Sequence, residues 1–179
     1  MNLLTLMFSQ CKTSVIILRI RPLQGMDYEP LFHIVLWRPE IPNNTGNIGR
    51  TCLALQAKLH LIGPLGFDIS DKSLKRAGLD YWPHLKKSIH NSWEDFLESE
   101  AGGRYFLVTT KSDQLCFQPK YQKNDYFIFG QETKGLPDEF LQAYPDHKVR
   151  IPMLGPTRSL NLANAVAILG YEFLRQRLN

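Results

Sequence analysis

Leu31-Phe32-His33-Ile34-Val35-Leu36-Trp37 is a short, almost wholly apolar run, and together with the helical pattern behind it this run decides the fold. A strand covered on one face alternates apolar and polar residues, whereas an unbroken apolar run suits a strand covered on both. After it come a Gly-containing turn, a helical pattern over 48–57 and a second apolar run over 58–62. Strand, helix, strand is the unit of a parallel sheet. Further buried strands are expected over 104–109, 125–129 and 148–151, and short helices over 71–77, 92–99 and 138–143. Ser92 with Asp95 three residues on reads as a helix cap, and Pro137 as a helix entry. The last helix is the most regular. From Leu160, the residues Ala163, Val166, Ala167, Gly170, Phe173 and Leu174 recur at helical spacing, with Arg175 and Arg177 in the final turn. Its small residues fit two arrangements, a helix against its own sheet or a subunit interface. The expectation is an α/β domain over 31–179, with a mainly parallel sheet flanked by helices.

The 179 residues are 44% hydrophobic and 21% charged, which excludes disordered, collagen-like and low-complexity classes. No apolar run approaches the ~20 residues of a membrane helix. A net charge of +4 permits a nucleic-acid partner without demanding one. Cys11, Cys52 and Cys116 are scattered and odd in number, so a reducing, cytoplasmic setting is expected. His33, His60, His84, His90 and His147 form no HxxxH pair, and no metal is expected. Residues 1–30 stand apart. They hold two short apolar patches and, over 1–26, Lys12, Arg19 and Arg21 with no acid. That is faintly like a transit peptide; the simpler reading is a disordered extension or a misassigned start upstream of Met26.

Three stretches carry chemistry. The first is Asn43-Asn44-Thr45-Gly46-Asn47-Ile48-Gly49-Arg50, read as a loop after the first strand. It matches neither GxGxxG nor a Walker loop, so nicotinamide and ATP lose their usual support. Its amides, hydroxyl and guanidinium suit a phosphate or a ribose, or simply cap a helix. The second is Phe129-Gly130-Gln131-Glu132-Thr133-Lys134-Gly135-Leu136-Pro137, where two glycines let the backbone bend or approach a ligand. The third runs from Ile151 to Ala165; Pro152 and Pro156 stiffen a loop, and a helix is expected to start near Ser159, with Asn161 and Asn164 in its first turns.

In this order and spacing the three stretches resemble the motifs of the SPOUT class of RNA methyltransferases. Within that class, Ile41–Cys52, Arg76-Ala-Gly-Leu-Asp-Tyr81, Gly130–Pro137 and Arg158–Ala165 are similar to the branch that methylates the ribose 2′-hydroxyl of the wobble nucleotide of tRNA. Gln131, where close relatives usually carry Pro, departs from the pattern. The resemblance implies a C-terminal trefoil knot, S-adenosyl-L-methionine as cofactor, tRNA as partner and a homodimer. It places the cofactor on Val108, Gly130, Ile151 and Ser159, and the catalytic group on Asn44, Arg50, Glu132 and Asn161. Tyr171 is a further candidate for a contribution across the dimer.

Methyl transfer to a ribose hydroxyl needs alignment of oxygen, methyl carbon and sulfur, and removal of a proton. The motifs hold no histidine or aspartate. Arg50 is the family's candidate base, yet arginine normally stays protonated. Two readings stand: Arg50 loses a proton in an unusual site, or it clamps a phosphate and so positions the hydroxyl. Lys72, Lys75, Arg76, Lys86 and Lys87, with Tyr81, Trp82 and His84 among them, read as an RNA grip or a solvated basic face. A ribosomal RNA target and a non-catalytic RNA-binding protein of the same fold are the alternatives.

Overall fold

The computed structural model describes residues 28–68, 80–100 and 102–178. Expectations that fall on 1–27, including the extension, and on the helix over 71–77 lie outside the described residues. The folded unit reaches upstream of Leu31. Tyr28 is buried, its hydroxyl donates to the Ala57 carbonyl, and it accepts from the Lys86 N–H.

The elements are β1 (Phe32–Trp37), α1 (Pro42–Ala54), β2 (Ala57–Ile62), β3 (Lys87–His90), α2 (Trp93–Ser99), β4 (Tyr105–Val108), β5 (Tyr126–Phe129), α3 (Asp138–Ala143), β6 (Lys148–Val149) and α4 (Leu162–Leu178). The six strands form one sheet in the order β3-β2-β1-β5-β4-β6, with every pairing parallel. All six residues of β1 are buried. Strand residues alternate between two layers. Phe32, Ile34 and Leu36 pack with Ile48 and Cys52 of α1 and with Val166, Leu169 and Phe173 of α4. Val35 and Trp37 face the other way, onto Trp93 and Phe96 of α2 and Leu141 of α3.

β3 was not expected. Its sequence Lys87-Ser-Ile-His90 is short and holds one apolar side chain, Ile89, which is exposed on this edge strand, and its first residue reads as part of a basic face. Ser92 does cap α2, accepting from the Asp95 N–H at 3.2 Å.

Two helix starts differ from expectation. α1 begins at Pro42, so Asn43–Arg50 is helix and not loop. Proline at the first helical turn is pre-set for the helix. Gly49, which reads as a turn residue, serves packing instead, since a Cβ there would lie 2.8 Å from the Trp82 ring, and Gly46 gives its carbonyl to the Tyr81 hydroxyl. α4 starts at Leu162, and Ser159 does not cap it. The cap is Asn161, whose side-chain oxygen accepts from the N–H of Ala163 at 2.9 Å and of Asn164 at 3.4 Å. Gly170 lets α4 approach its own chain, since a Cβ there would lie 2.6 Å from Leu55.

Candidate active site

The sheet order reverses between β1 and β5. From β1 the chain proceeds to β2 and β3 on one side, while β4, β5 and β6 lie on the other. Parallel α/β sheets hold ligands at such a switch point, outside the carboxyl ends of the strands. A cavity of about 510 Å³ opens there. Its walls come from the segments after β1, β4, β5 and β6, and from the residues leading into α4.

Seven of the eight expected site residues line this cavity: Asn44, Val108, Gly130, Glu132, Ile151, Ser159 and Asn161. Val108, Phe129, Ile151, Met153 and Leu162 make part of the wall apolar, and Lys111, Lys134 and Arg158 add cations. Lys111 is paired with Asp138 at 2.6 Å. Lys111 and Met153 were missed, because a lone lysine after a strand and a methionine between prolines carry no pattern.

Glu132 is the hub. Its carboxylate accepts from the Glu40 N–H at 2.8 Å, the Ile41 N–H at 3.2 Å and the Asn44 side-chain amide at 3.1 Å. Ile41 is the N-cap position of α1 and offers no side-chain cap of its own. A carboxylate from the segment after β5 therefore sits at the positive end of α1. The exchange is reciprocal: the Glu40 carboxylate accepts from the Thr133 N–H at 3.0 Å and from the Thr133 hydroxyl. Asn44, which is buried, passes the connection on. Its side-chain oxygen accepts from the Asn161 amide at 3.0 Å, and Asn161 in turn caps α4. The three motifs form one hydrogen-bonded chain. In it Glu132 holds backbone and an amide.

Gly130 and Gly135 build the turn that presents Glu132. The backbones of Gln131 and Gly135 exchange two hydrogen bonds, at 3.1 and 2.9 Å. Gly135 has φ +70, and a Cβ on Gly130 would sit 2.0 Å from the Gly135 carbonyl carbon. Glycine is required at both.

Arg50 is not in the cavity wall. Six residues on from Asn44, it lies about 9 Å further along the α1 axis and on another face. Its guanidinium is exposed and stands over the Tyr81 ring, 4.9 Å from the centroid. The expected RNA grip is also corrected in part. Trp82 is buried against Gly49 and takes the Lys87 ammonium on its carbonyl at 2.9 Å, so its ring cannot stack a base. Lys72, Lys75 and Arg76 lie outside the described residues. Tyr171 is no core residue; it is 57% exposed on α4.

Three histidines form a buried row the sequence did not show. His33 Nδ1 lies 2.9 Å from His60 Nε2, and His60 Nδ1 lies 3.1 Å from His90 Nε2. The series ends on Ser99, whose hydroxyl oxygen is 3.2 Å from His90 Nδ1 and donates to the Asp95 carbonyl at 2.7 Å. That direction makes His90 the donor to Ser99 and passes one Nδ1–H orientation along the row. His33, His60 and Glu100 lie close enough together to ligate an ion. However, both His60 nitrogens face other imidazoles, and Glu100 is taken by the Lys58 ammonium at 2.5 Å.

Residues 31–171 match the SpoU rRNA Methylase family. The chain belongs to this family. Among its relatives, the tRNA (cytidine(34)-2′-O)-methyltransferase of Methylovorus glucosotrophus is 48% identical, across 82% of this chain and 96% of its own. The Escherichia coli K12 protein of the same name is 47% identical, across 82% and 94%. A structure described as giving insights into the 2-OH methylation of C/U34 on tRNA superposes with a TM-score of 0.77 at 47% identity, across 82% of this chain and 96% of that one. AviRb from Streptomyces viridochromogenes, a SpoU methyltransferase solved with its cofactor AdoMet, superposes at 0.72 with 27% identity, across 86% and 60%. No described helix is long and apolar enough to cross a membrane.

Proposed function

We propose that this chain transfers the methyl group of S-adenosyl-L-methionine to the ribose 2′-hydroxyl of the wobble nucleotide of tRNA. The observation that carries the reading is the hydrogen-bonded chain Glu132–Asn44–Asn161 beside the cavity at the sheet's switch point. It ties the three family motifs into one wall. The relatives named for cytidine 34 of tRNA supply the substrate class.

The cavity fits the cofactor. Its volume lies within the ~300–1,000 Å³ of small-ligand sites. Its apolar wall at Val108, Ile151 and Leu162 suits an adenine, and the backbone groups around Gly130 and Ser159 suit a ribose. When bound, the cofactor supplies the electrophilic methyl. Gly130 and its turn hold the wall close, and Asn161 fixes the start of α4. Glu132 acts by positioning: it locks α1 to the segment after β5. Arg50 faces solvent, where a bidentate guanidinium grips an RNA phosphate and so sets the hydroxyl. This favours the clamp over the base.

The same reading includes the trefoil knot, a cytoplasmic setting and a homodimer. Tyr171 and Leu178 leave apolar surface on the outward side of α4, while Gly170 is spent on contact with α1. The test is transfer of labelled methyl to separated RNA fractions. Label in tRNA supports the reading, and label confined to ribosomal RNA, or in neither, refutes it.

A further inference from the structure

Gly46, Gly49 and Arg50 lie three and four positions apart, on one stripe of α1. The segment 81–85 is moulded to that stripe. The Tyr81 hydroxyl donates to the Gly46 carbonyl in a short hydrogen bond. The Trp82 ring covers Gly49, where any Cβ would collide with it. The Tyr81 ring lies under the Arg50 guanidinium at 4.9 Å. Lys87 holds the segment from behind, through the Trp82 carbonyl.

An exposed arginine ordinarily samples many rotamers, and ordering it costs side-chain entropy. Here the aromatic face under the guanidinium narrows that freedom through cation–π attraction. The face is itself anchored to α1 by its hydroxyl, so ring and arginine move as one body. Among the described residues no carboxylate pairs with Arg50, which leaves N–H groups of the guanidinium for an outside anion.

We infer that Tyr81 is the positioning residue for Arg50: it holds the guanidinium in the orientation that grips the RNA phosphate. The inference rests on the role proposed above for Arg50. The ring carries the guanidinium, and the hydroxyl, which fixes the ring to the Gly46 carbonyl, also lies beside Arg50.

A double-mutant cycle tests this with Tyr81→Leu, Tyr81→Phe and Arg50→Ala, singly and combined, by steady-state methyl transfer to tRNA and calorimetry of cofactor binding. Tyr81→Leu is expected to lower kcat about tenfold or more, the scale of a misaligned reacting group. Tyr81→Phe, which keeps the ring, is expected to lose less. Cofactor affinity stays as in the wild type. In the Arg50→Ala background both Tyr81 changes become silent, because what they position is gone. Equal losses from Tyr81→Leu with and without Arg50 would overturn the inference while leaving Arg50's role intact. So would Tyr81→Leu with unchanged kcat. Normal turnover in Arg50→Ala alone would instead remove the role of Arg50, and the inference with it. Should Tyr81→Leu not fold, Tyr81→Phe carries the cycle, with the same requirement that its loss depends on Arg50.

Discussion

The side-chain amide of Asn161 donates to the side-chain oxygen of Asn44 at 3.0 Å, across 117 positions of sequence. Asn44 spends its own amide on Glu132, and Asn161 spends its oxygen on the first turn of α4. Two helix N-termini and the turn after β5 therefore share one polar chain. A change in any member is felt in all three segments of the cavity wall.

Glu132→Ala removes the acceptor of two backbone N–H groups and one amide. Unmade hydrogen bonds of buried donors cost ~1–3 kcal/mol each; because these are partly solvated, a total loss of ~2 kcal/mol is expected. Chemical denaturation measures it. Cofactor affinity should fall as well, since α1 and the turn after β5 lose register. An Ala variant with unchanged stability and unchanged binding would show that the hub is ornamental.

Glycine substitutions separate strain from open space. Gly130→Ala forces a Cβ to 2.0 Å from the Gly135 backbone, so it should abolish cofactor binding. Gly155→Ala meets nothing within 4 Å and should bind the cofactor like the wild type. Calorimetry on the pair checks the contrast.

The histidine row makes stability pH-dependent. Burial lowers His33 from 6.5 to about 4, and burial also lowers His60 and His90. Above the unfolded value all three are neutral in both states, and stability is level. As pH falls below about 6.5 the unfolded chain takes up protons that the folded chain refuses, so stability declines until the folded groups titrate. Tm measured from pH 7.5 to pH 4.5 should begin to drop near 6.5 and fall most steeply around pH 5. Replacing His60 with Gln should flatten part of that drop. A pH-independent Tm over this window would contradict the neutral row.

Much of the sheet was legible because a strand buried on both faces writes itself as an apolar run, as at 31–37 and 125–129. The two helix starts were not. α1 takes its capping carboxylate from Glu132, far along the chain, so the only local mark of its beginning is Pro42 itself, and the polar, glycine-containing stretch behind it reads as a loop. Gly46 and Gly49 read as turn residues, yet both are helical, and Gly49 leaves room for the Trp82 ring. Asn161 and Ser159 are both good caps by residue type; Asn161 makes the cap, and its amide is also tied to Asn44, far along the chain. The histidine row is invisible locally, since its members are 27 and 30 positions apart and meet through strand pairing. The expected residues at strand ends, Val108, Gly130 and Ile151, lie in the cavity wall. Arg50 was read into the same loop, but a helix carries it to another face.

Light scattering addresses the assembly. About twice 20.6 kDa is expected. Tyr171→Glu, on the outward side of α4, should shift the mass toward one copy. A wild-type chain that is monomeric at micromolar concentration with full activity would refute the dimer.

The central claim is best tested by incubating the protein with S-adenosylmethionine labelled on its methyl group and total tRNA, then mapping the labelled nucleoside. The expected product is 2′-O-methylated ribose at position 34 of the anticodon loop, with loss of that label in Arg50→Ala by ~10²-fold or more, the scale of a missing positioning group. Label on a base, or on a ribose elsewhere in tRNA, would contradict it.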